Sequence, residues 1–238
     1  MAASTLAVRP ALWSFLGRVP YPEGEALQRA AREAIRRGEG PDRFFLLEHP
    51  NVYTLGRNAT PADVLASPAW LSARGFEVVE CDRGGQVTYH GPGQLVGYPV
   101  INLSPDRRDI RRYVHDLQEV LLRTLADYGV TGERREGQEY IGIWVEGAKI
   151  ASIGVHLSRW ITTHGFALNV TTDLGLFAGI IPCGLSQVRM TSLAALTGRT
   201  PPLAEVAARA AAHFGAVFER EMVASGVAET LVPAGRLG

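Results

Sequence analysis

Three groups of residues in this chain stand apart as candidates for chemistry. The first is a single lysine. Of 24 basic residues, 23 are arginine and only Lys149 is lysine. A desolvated lysine can give up its proton, whereas arginine effectively cannot. Lys149 is therefore either a candidate for proton chemistry or a surface lysine left by an arginine-biased composition. The second is Cys183, in Ile180-Ile181-Pro182-Cys183-Gly184-Leu185. Its default role is a small buried hydrophobe. Against that, it lies on a predicted loop, between a proline and a glycine, and loops on rigid scaffolds carry catalytic groups disproportionately. As a nucleophile it needs its thiolate, and an ordinary thiol with a pKa of about 8.5 is barely ionised at neutral pH, so a basic or cationic neighbour is required. Cys81 precedes Asp82, whose charge opposes a thiolate, and reads as structural.

The third group is the glycine-rich run Arg83-Gly84-Gly85-Gln86-Val87-Thr88-Tyr89-His90-Gly91-Pro92-Gly93-Gln94. It is neither a dinucleotide fingerprint nor a phosphate-binding Walker loop, since G-x-G-x-x-G and G-K-[ST] are both absent. It forms either two tight turns or a loop whose backbone approaches a ligand closely. In the second case Arg83 and His90 are the polar anchors, while Tyr89 suits the core equally well. The six histidines (His49, His90, His115, His156, His164 and His213) show no H-x-x-x-H metal pair, and no papain-type or caspase-type signature surrounds Cys183. No metal site is expected. His115 and His213, on predicted helices, read as surface or satisfied core residues.

Composition excludes several classes. The 24 basic residues are balanced by 24 acidic ones among 238, so there is no basic footprint for nucleic acid. Two cysteines exclude a disulfide-stapled scaffold and a zinc ribbon. The longest run free of charged residues, 84–105, holds five glycines and three prolines and cannot make a spanning helix. No signal peptide is apparent. A cytoplasmic protein that binds neither nucleic acid nor membrane is expected.

The elements that position these groups follow from periodicity and breakers. Helices are predicted at 22–38 (Ala26, Leu27, Ala30, Ala31, Ala34 and Ile35 on one face), 61–74 in one or two pieces, 109–128, 191–197 and 202–222. On the 109–128 helix, Ile110, Tyr113, Val114, Leu117, Leu121, Leu125 and Tyr128 share a face. Strands are predicted at 44–47, 52–55, 76–81, 86–90, 95–101, 141–145, 149–157 and 161–170, with a Glu146-Gly147 hairpin turn. Strands and helices mix without a βαβ rhythm, which favours α+β. One domain is expected over 1–222, with its core at 40–197 and a frayed tail at 223–238.

Four segments, in order and spacing between about residue 40 and 197, resemble the lipoyl(octanoyl) transferase family. They are the 83–94 run, Gly147-Ala148-Lys149-Ile150-Ala151-Ser152-Ile153-Gly154-Val155, Thr163-His164-Gly165-Phe166-Ala167-Leu168-Asn169-Val170, and Gly179-Ile180-Ile181-Pro182-Cys183-Gly184. The resemblance implies a biotin/lipoate protein ligase-like α+β domain, a mixed sheet flanked by helices with the acyl pocket against the sheet. It implies transfer of an octanoyl group from acyl carrier protein to a lysine of lipoyl domains, in 2-oxoacid dehydrogenase complexes and the glycine cleavage H protein. Cys183 would be the acyl-thioester nucleophile, and Lys149 would lower the thiol pKa and handle its proton. Substrate contacts would come from Arg83, Gly84, Gly85, Gln86, Val87, Thr88, Tyr89, His90, Ser152, Ile153, Gly154, Gly165, Phe166 and Ala167. The resemblance implies no cofactor, since the acyl group arrives on the carrier's phosphopantetheine.

On this reading, backbone N–H groups near Gly84-Gly85 or Cys183-Gly184 hold the oxyanion, and Gly154, Gly165 and Ala167 leave room for the acyl tail. Arg107, Arg108, Arg111 and Arg112 are either a solvated helix start or a docking patch for an acidic carrier. Three rival readings have distinct signatures. An ATP-dependent lipoate or biotin-type ligase on the same fold would not need Cys183. A silent binding module would never acylate it. A cysteine hydrolase would need a histidine beside it.

Overall fold

The chain runs through strand β1 (Arg9–Arg18), helix α1 (Tyr21–Arg37), strands β2 (Asp42–Glu48) and β3 (Val52–Leu55), and the short helix α2 (Pro68–Ala73). Strands β4 (Glu77–Glu80), β5 (Val87–His90) and β6 (Gln94–Val100) lead to helix α3 (Ile110–Ala126). A meander of β7 (Gly142–Val145), β8 (Ala148–Ser158) and β9 (Ile161–Asn169) precedes helices α4 (Leu193–Thr197) and α5 (Leu203–Phe218), and β10 (Arg220–Ala224) follows. The computed structural model describes residues 9–181 and 188–226.

Seven strands form one mixed sheet in the order β10-β1-β2-β6-β9-β8-β7, and β4-β3-β5 form a smaller one. From β2 through β6, β9 and β8 to β7 every pairing is antiparallel, while β1 pairs parallel with both β2 and β10. Every residue of β6 and β9 is buried, which requires both faces of the sheet to be covered. On one face Phe166 and Leu168 pack with Leu117, Leu121, Val206 and Phe214 of α3 and α5. On the other, Ala167 and Ile161 pack with Ala31 and Ile35 of α1. The result is the expected α+β domain: a mixed sheet flanked by helices.

Local signals explain most elements. Pro22 opens α1, and Gly38 at φ 72° closes it, giving its N–H to Ala34 and Ile35. Asp109 caps α3 by accepting from the N–H groups of Arg111 and Arg112. Glu146 and Gly147, at φ 47° and 79°, make the two-residue hairpin between β7 and β8.

Three differences from the sequence reading have physical causes. The buried stripe of α1 is Tyr21, Gly24, Gln28, Ala31 and Ile35, and Ala26 and Ala30 are exposed. The helix turns this face inward because Gln28 accepts the His164 N–H at 2.6 Å and Gly24 lies against His49. Strand β1 has no counterpart in the sequence reading. The final helix stops at Phe218 because Glu219 adopts φ 55°, and the chain reverses into β10. Residues 223 and 224, assigned to a frayed tail, therefore pair with Leu12 and Trp13 at the sheet edge. The buried Arg220 guanidinium pairs with Asp42 at 3.1 Å and locks this return.

Candidate active site

Three walls enclose a cavity of about 710 Å³ beside the sheet. The first is the run from Arg83 to Thr88 with His90, the second comes from β8 and β9, and the third is the outer face of α3.

The first wall is bolted in place. Arg83 is buried and donates to the Thr54 carbonyl at 2.6 Å and to its hydroxyl at 2.9 Å. Arg57 and Asn58 donate backbone N–H groups to the carbonyls of Arg83 and Gly85, and Gly84 donates to the Val155 carbonyl. Gly84, Gly85, Gln86, Val87 and Thr88 all line the cavity. Tyr89 does not, which corrects its assignment as a substrate contact. Strand alternation turns it to the opposite face, where its hydroxyl donates to Asn51 and its ring packs on Tyr53 and Phe177. Alternation returns His90 to the cavity. Its Nδ1 lies 2.8 Å from Gln94 Oε1, and the Gln94 amide donates elsewhere, to Tyr89 and Asn169. Nδ1 therefore carries the proton and Nε2 is an acceptor. Burial first, then His49 and Arg83, push the His90 pKa far below its usual value, so the ring is neutral.

Lys149 comes from β8 and is 1% exposed, which excludes the leftover-surface alternative. Its ammonium lies 5.4 Å from the centre of the Trp144 ring, within cation–π range. Its stem runs past Gly142, where an added Cβ would come within 2.6 Å of Lys149 Cε. Gln118 of α3 donates to the Gly142 carbonyl and so fixes this corner. The Lys149 backbone bonds to residues 189 and 191. The strand bearing the lysine is thus tied to residues that follow Cys183 by six to eight positions in the sequence. Cys183 itself lies outside the described residues. Ile181, on the near flank, donates to the Asp63 carbonyl.

Ser152, Ile153, Gly154, Gly165, Phe166 and Ala167 all line the cavity. Two glycines among them serve contacts other than the open space assigned to them. A Cβ on Gly154 would stand 2.8 Å from the Gly84 carbonyl oxygen, so this glycine seats the Arg83 loop against β8. A Cβ on Gly165 would strike Gly97 and Pro99, so it lets β9 close on β6.

His164 unites the walls. It sits within β9 at φ 57°, a left-handed conformation uncommon for a residue other than glycine. Its Nε2 donates to Asp82 Oδ1 at 2.6 Å. Asp82 immediately precedes Arg83, so this bond ties β9 to the start of the glycine-rich run. Arg57 adds a brace, donating to His156 Nδ1 at 2.8 Å. The hydrogen bond from His164 leads the effects that hold the Asp82 pKa at about 2. A depressed carboxylate pKa stabilises the fold fully above the unfolded value of about 3.9 and loses that effect as pH falls through the folded value. Asp82 is half exposed, so screening keeps the contribution small. Urea midpoints of the parent protein and Asp82→Asn should therefore differ at pH 7 and converge as pH falls below about 3. A gap independent of pH would contradict this.

The sequence reading missed the third wall. Ile110, Arg111, Val114, His115 and Gln118 of α3 line the cavity, with Glu139 and Ile141 nearby. Ile110 and Val114 share the helix's apolar stripe, and periodicity alone does not separate a stripe facing a cavity from one facing the core. Tyr21 and Tyr98 were also missed. Arg107 leaves the proposed basic cluster: it is buried, pairing with Asp116 at 2.5 Å and Glu219 at 3.1 Å. Cys81, read as structural, donates its thiol to the Leu55 carbonyl. Among the described residues no three metal-ligating side chains converge, and no helix is long and apolar enough to cross a membrane.

With this geometry in hand, comparison with known proteins is informative. A sequence model of the lipoyl protein ligase A/B catalytic domain matches residues 20–215. An octanoyltransferase of Myxococcus xanthus is 50% identical over 214 residues, covering 87% of this chain and 59% of that protein. One from Chloroflexus aggregans is 49% identical over 207 residues, covering 86% of this chain and 93% of that protein. Among solved structures, a bipartite lipoate protein ligase from Thermoplasma acidophilum, solved in a study of its lipoylation system and E2 lipoyl domain, superposes with TM-score 0.72 at 16% identity. That match covers 93% of this chain and 89% of the other. A lipoate-protein ligase A bound with ATP gives TM-score 0.71 at 16% identity, over 93% and 92% of the two chains. At such identities the structural likeness is one of fold.

Proposed function

This chain belongs to the lipoyl protein ligase A/B catalytic-domain family and is an acyltransferase, and on that premise we propose that it carries an octanoyl group from acyl carrier protein to a lysine of lipoyl domains through an acyl-thioester on Cys183. The observation that carries the proposal is the placement of Lys149. The chain's one lysine is buried in the cavity, on a strand whose backbone bonds to residues 189 and 191, shortly after Cys183 in the sequence.

The proposed steps follow from this placement. Lys149 accepts the Cys183 proton, and the thiolate attacks the thioester carbonyl of the octanoyl donor. The tetrahedral oxyanion collapses, and the carrier's phosphopantetheine thiol leaves with the proton held by Lys149. One thioester replaces another, so the step is close to balanced and needs no ATP. The amine of the target lysine then attacks the acyl-Cys183 thioester. Cys183 leaves and the amine loses a proton, giving a stable amide whose formation drives the transfer. The Gly84 N–H is committed to Val155, which turns the oxyanion role toward the N–H groups of Gly85 or Cys183-Gly184, each typically worth about 3 kcal/mol. Burial of the octanoyl tail, at about 0.8 kcal/mol per methylene, contributes roughly 5 kcal/mol to binding. Acceptors of this chemistry include the lipoyl domains of 2-oxoacid dehydrogenase complexes and the glycine cleavage H protein.

An ATP-dependent ligase is the second reading, because the structural likeness includes ligases. The test is transfer from octanoyl carrier protein to a purified lipoyl domain without nucleotide. The proposal expects an octanoyl amide on the target lysine. An amide formed only from free acid and ATP would establish the ligase instead.

A further inference from the structure

The third wall of the cavity continues outward as a basic surface. Arg111, Arg112 and His115 share one side of the first turns of α3, and Arg108 lies just before its cap, Asp109. All four are exposed, His115 at 61% and Arg112 at 52%. Arg111 and His115 also line the cavity, beside Ile110, which is 40% exposed. The neighbouring carboxylates are mostly engaged. Asp109 caps the helix, Asp116 pairs with the buried Arg107 and stands 3.8 Å from Arg112, and Asp106 pairs with Arg9. Within the cavity lining, Arg83, Arg111 and Lys149 face one carboxylate, Glu139.

We infer that this face of α3 is where the acyl donor docks: an acidic protein seats on Arg108, Arg112 and His115, and the phosphodiester at the root of its thioester arm passes Arg111. The inference rests on the transferase reading above. Charge chooses the donor over the acceptor. The acceptor inserts a lysine, which the cations repel when it is protonated, whereas the donor arm carries a phosphate that they attract. Position agrees with this. Gln118, two turns along α3 from Arg111, bonds to the Gly142 corner that holds Lys149. An arm entering past Arg111 therefore runs along α3 toward the reacting groups.

The test compares two donors, octanoyl carrier protein and free octanoyl-pantetheine, which lacks both phosphate and protein. Arg108→Glu with Arg112→Glu is measured against the parent protein and against Arg36→Glu with Arg37→Glu, an equal charge change at the end of α1. At low salt the α3 variant should lose at least about ten-fold in kcat/KM with the carrier donor. That loss should shrink with added salt, while octanoyl-pantetheine turnover and thermal stability stay unchanged. The α1 variant should match the parent protein. Equal losses with both donors, no loss with the carrier donor, or a loss confined to discharge onto the lipoyl domain would each overturn the inference. If the parent protein used neither thioester, the transferase reading itself would fall.

Discussion

Lys149→Met should lower transfer by about 10²- to 10⁴-fold at pH 7, the range for removal of a positioned acid–base group. Methionine keeps much of the stem that runs past Gly142, so the fold should survive, as a thermal melt would confirm. Lys149→Arg should not restore activity, because arginine keeps the charge but does not accept the thiol proton. The decisive readout is the pH dependence of acyl-enzyme formation. Without Lys149 the thiol must ionise unaided, with a pKa of about 8.5. The variant's deficit should therefore shrink between pH 7 and pH 9. A deficit that is constant across this range, or normal turnover by Lys149→Arg, would remove the proton-acceptor role and leave an electrostatic one.

Gly154→Ala should be the most damaging small change in the cavity wall, lowering kcat/KM by about 10²-fold. The added methyl would stand 2.8 Å from the Gly84 carbonyl oxygen. That atom is backbone, and the loop that holds it is bolted to Thr54, Arg57 and Asn58. The strain cannot be relieved by a rotamer change, so the Arg83 loop must move relative to β8. A displacement of about 1 Å at a reacting centre is enough for such a loss. Gly84→Ala makes the informative comparison, because its Cβ would meet the Val155 oxygen at the looser distance of 3.3 Å. Parallel kinetics on the two variants should show the Gly154 change to be the more harmful. The reverse order would mean that the loop's seating on β8 does not govern the reaction.

What the sequence disclosed, and what it did not, follows from the range of the interactions involved. The β7–β8 hairpin and the bodies of α1 and α3 rest on signals carried within a few residues. Strand β1 depends on partners far along the chain, at 42–48 and 220–224. Its own sequence, broken by Pro10 and Gly17, does not announce them. The end of α5 was obscured because Glu219 is an ordinary helix residue whose left-handed φ is imposed by the pairing of β10 with β1. At the site, Lys149 stood out by composition and the glycine-rich run by density. Tyr89 and His90 are adjacent, and only the pleat of β5 decides which of them enters the cavity. Arg107 reads like its neighbours, yet the chain return at 217–219 buries it.

The most direct test of the central claim is an intact-mass spectrum of the protein after incubation with octanoyl carrier protein in the absence of ATP. The account predicts a gain of one octanoyl group, released by hydroxylamine and absent in Cys183→Ala. A folded protein that shows no adduct from an active donor, yet octanoylates a lipoyl domain when given ATP and free octanoate, would contradict it.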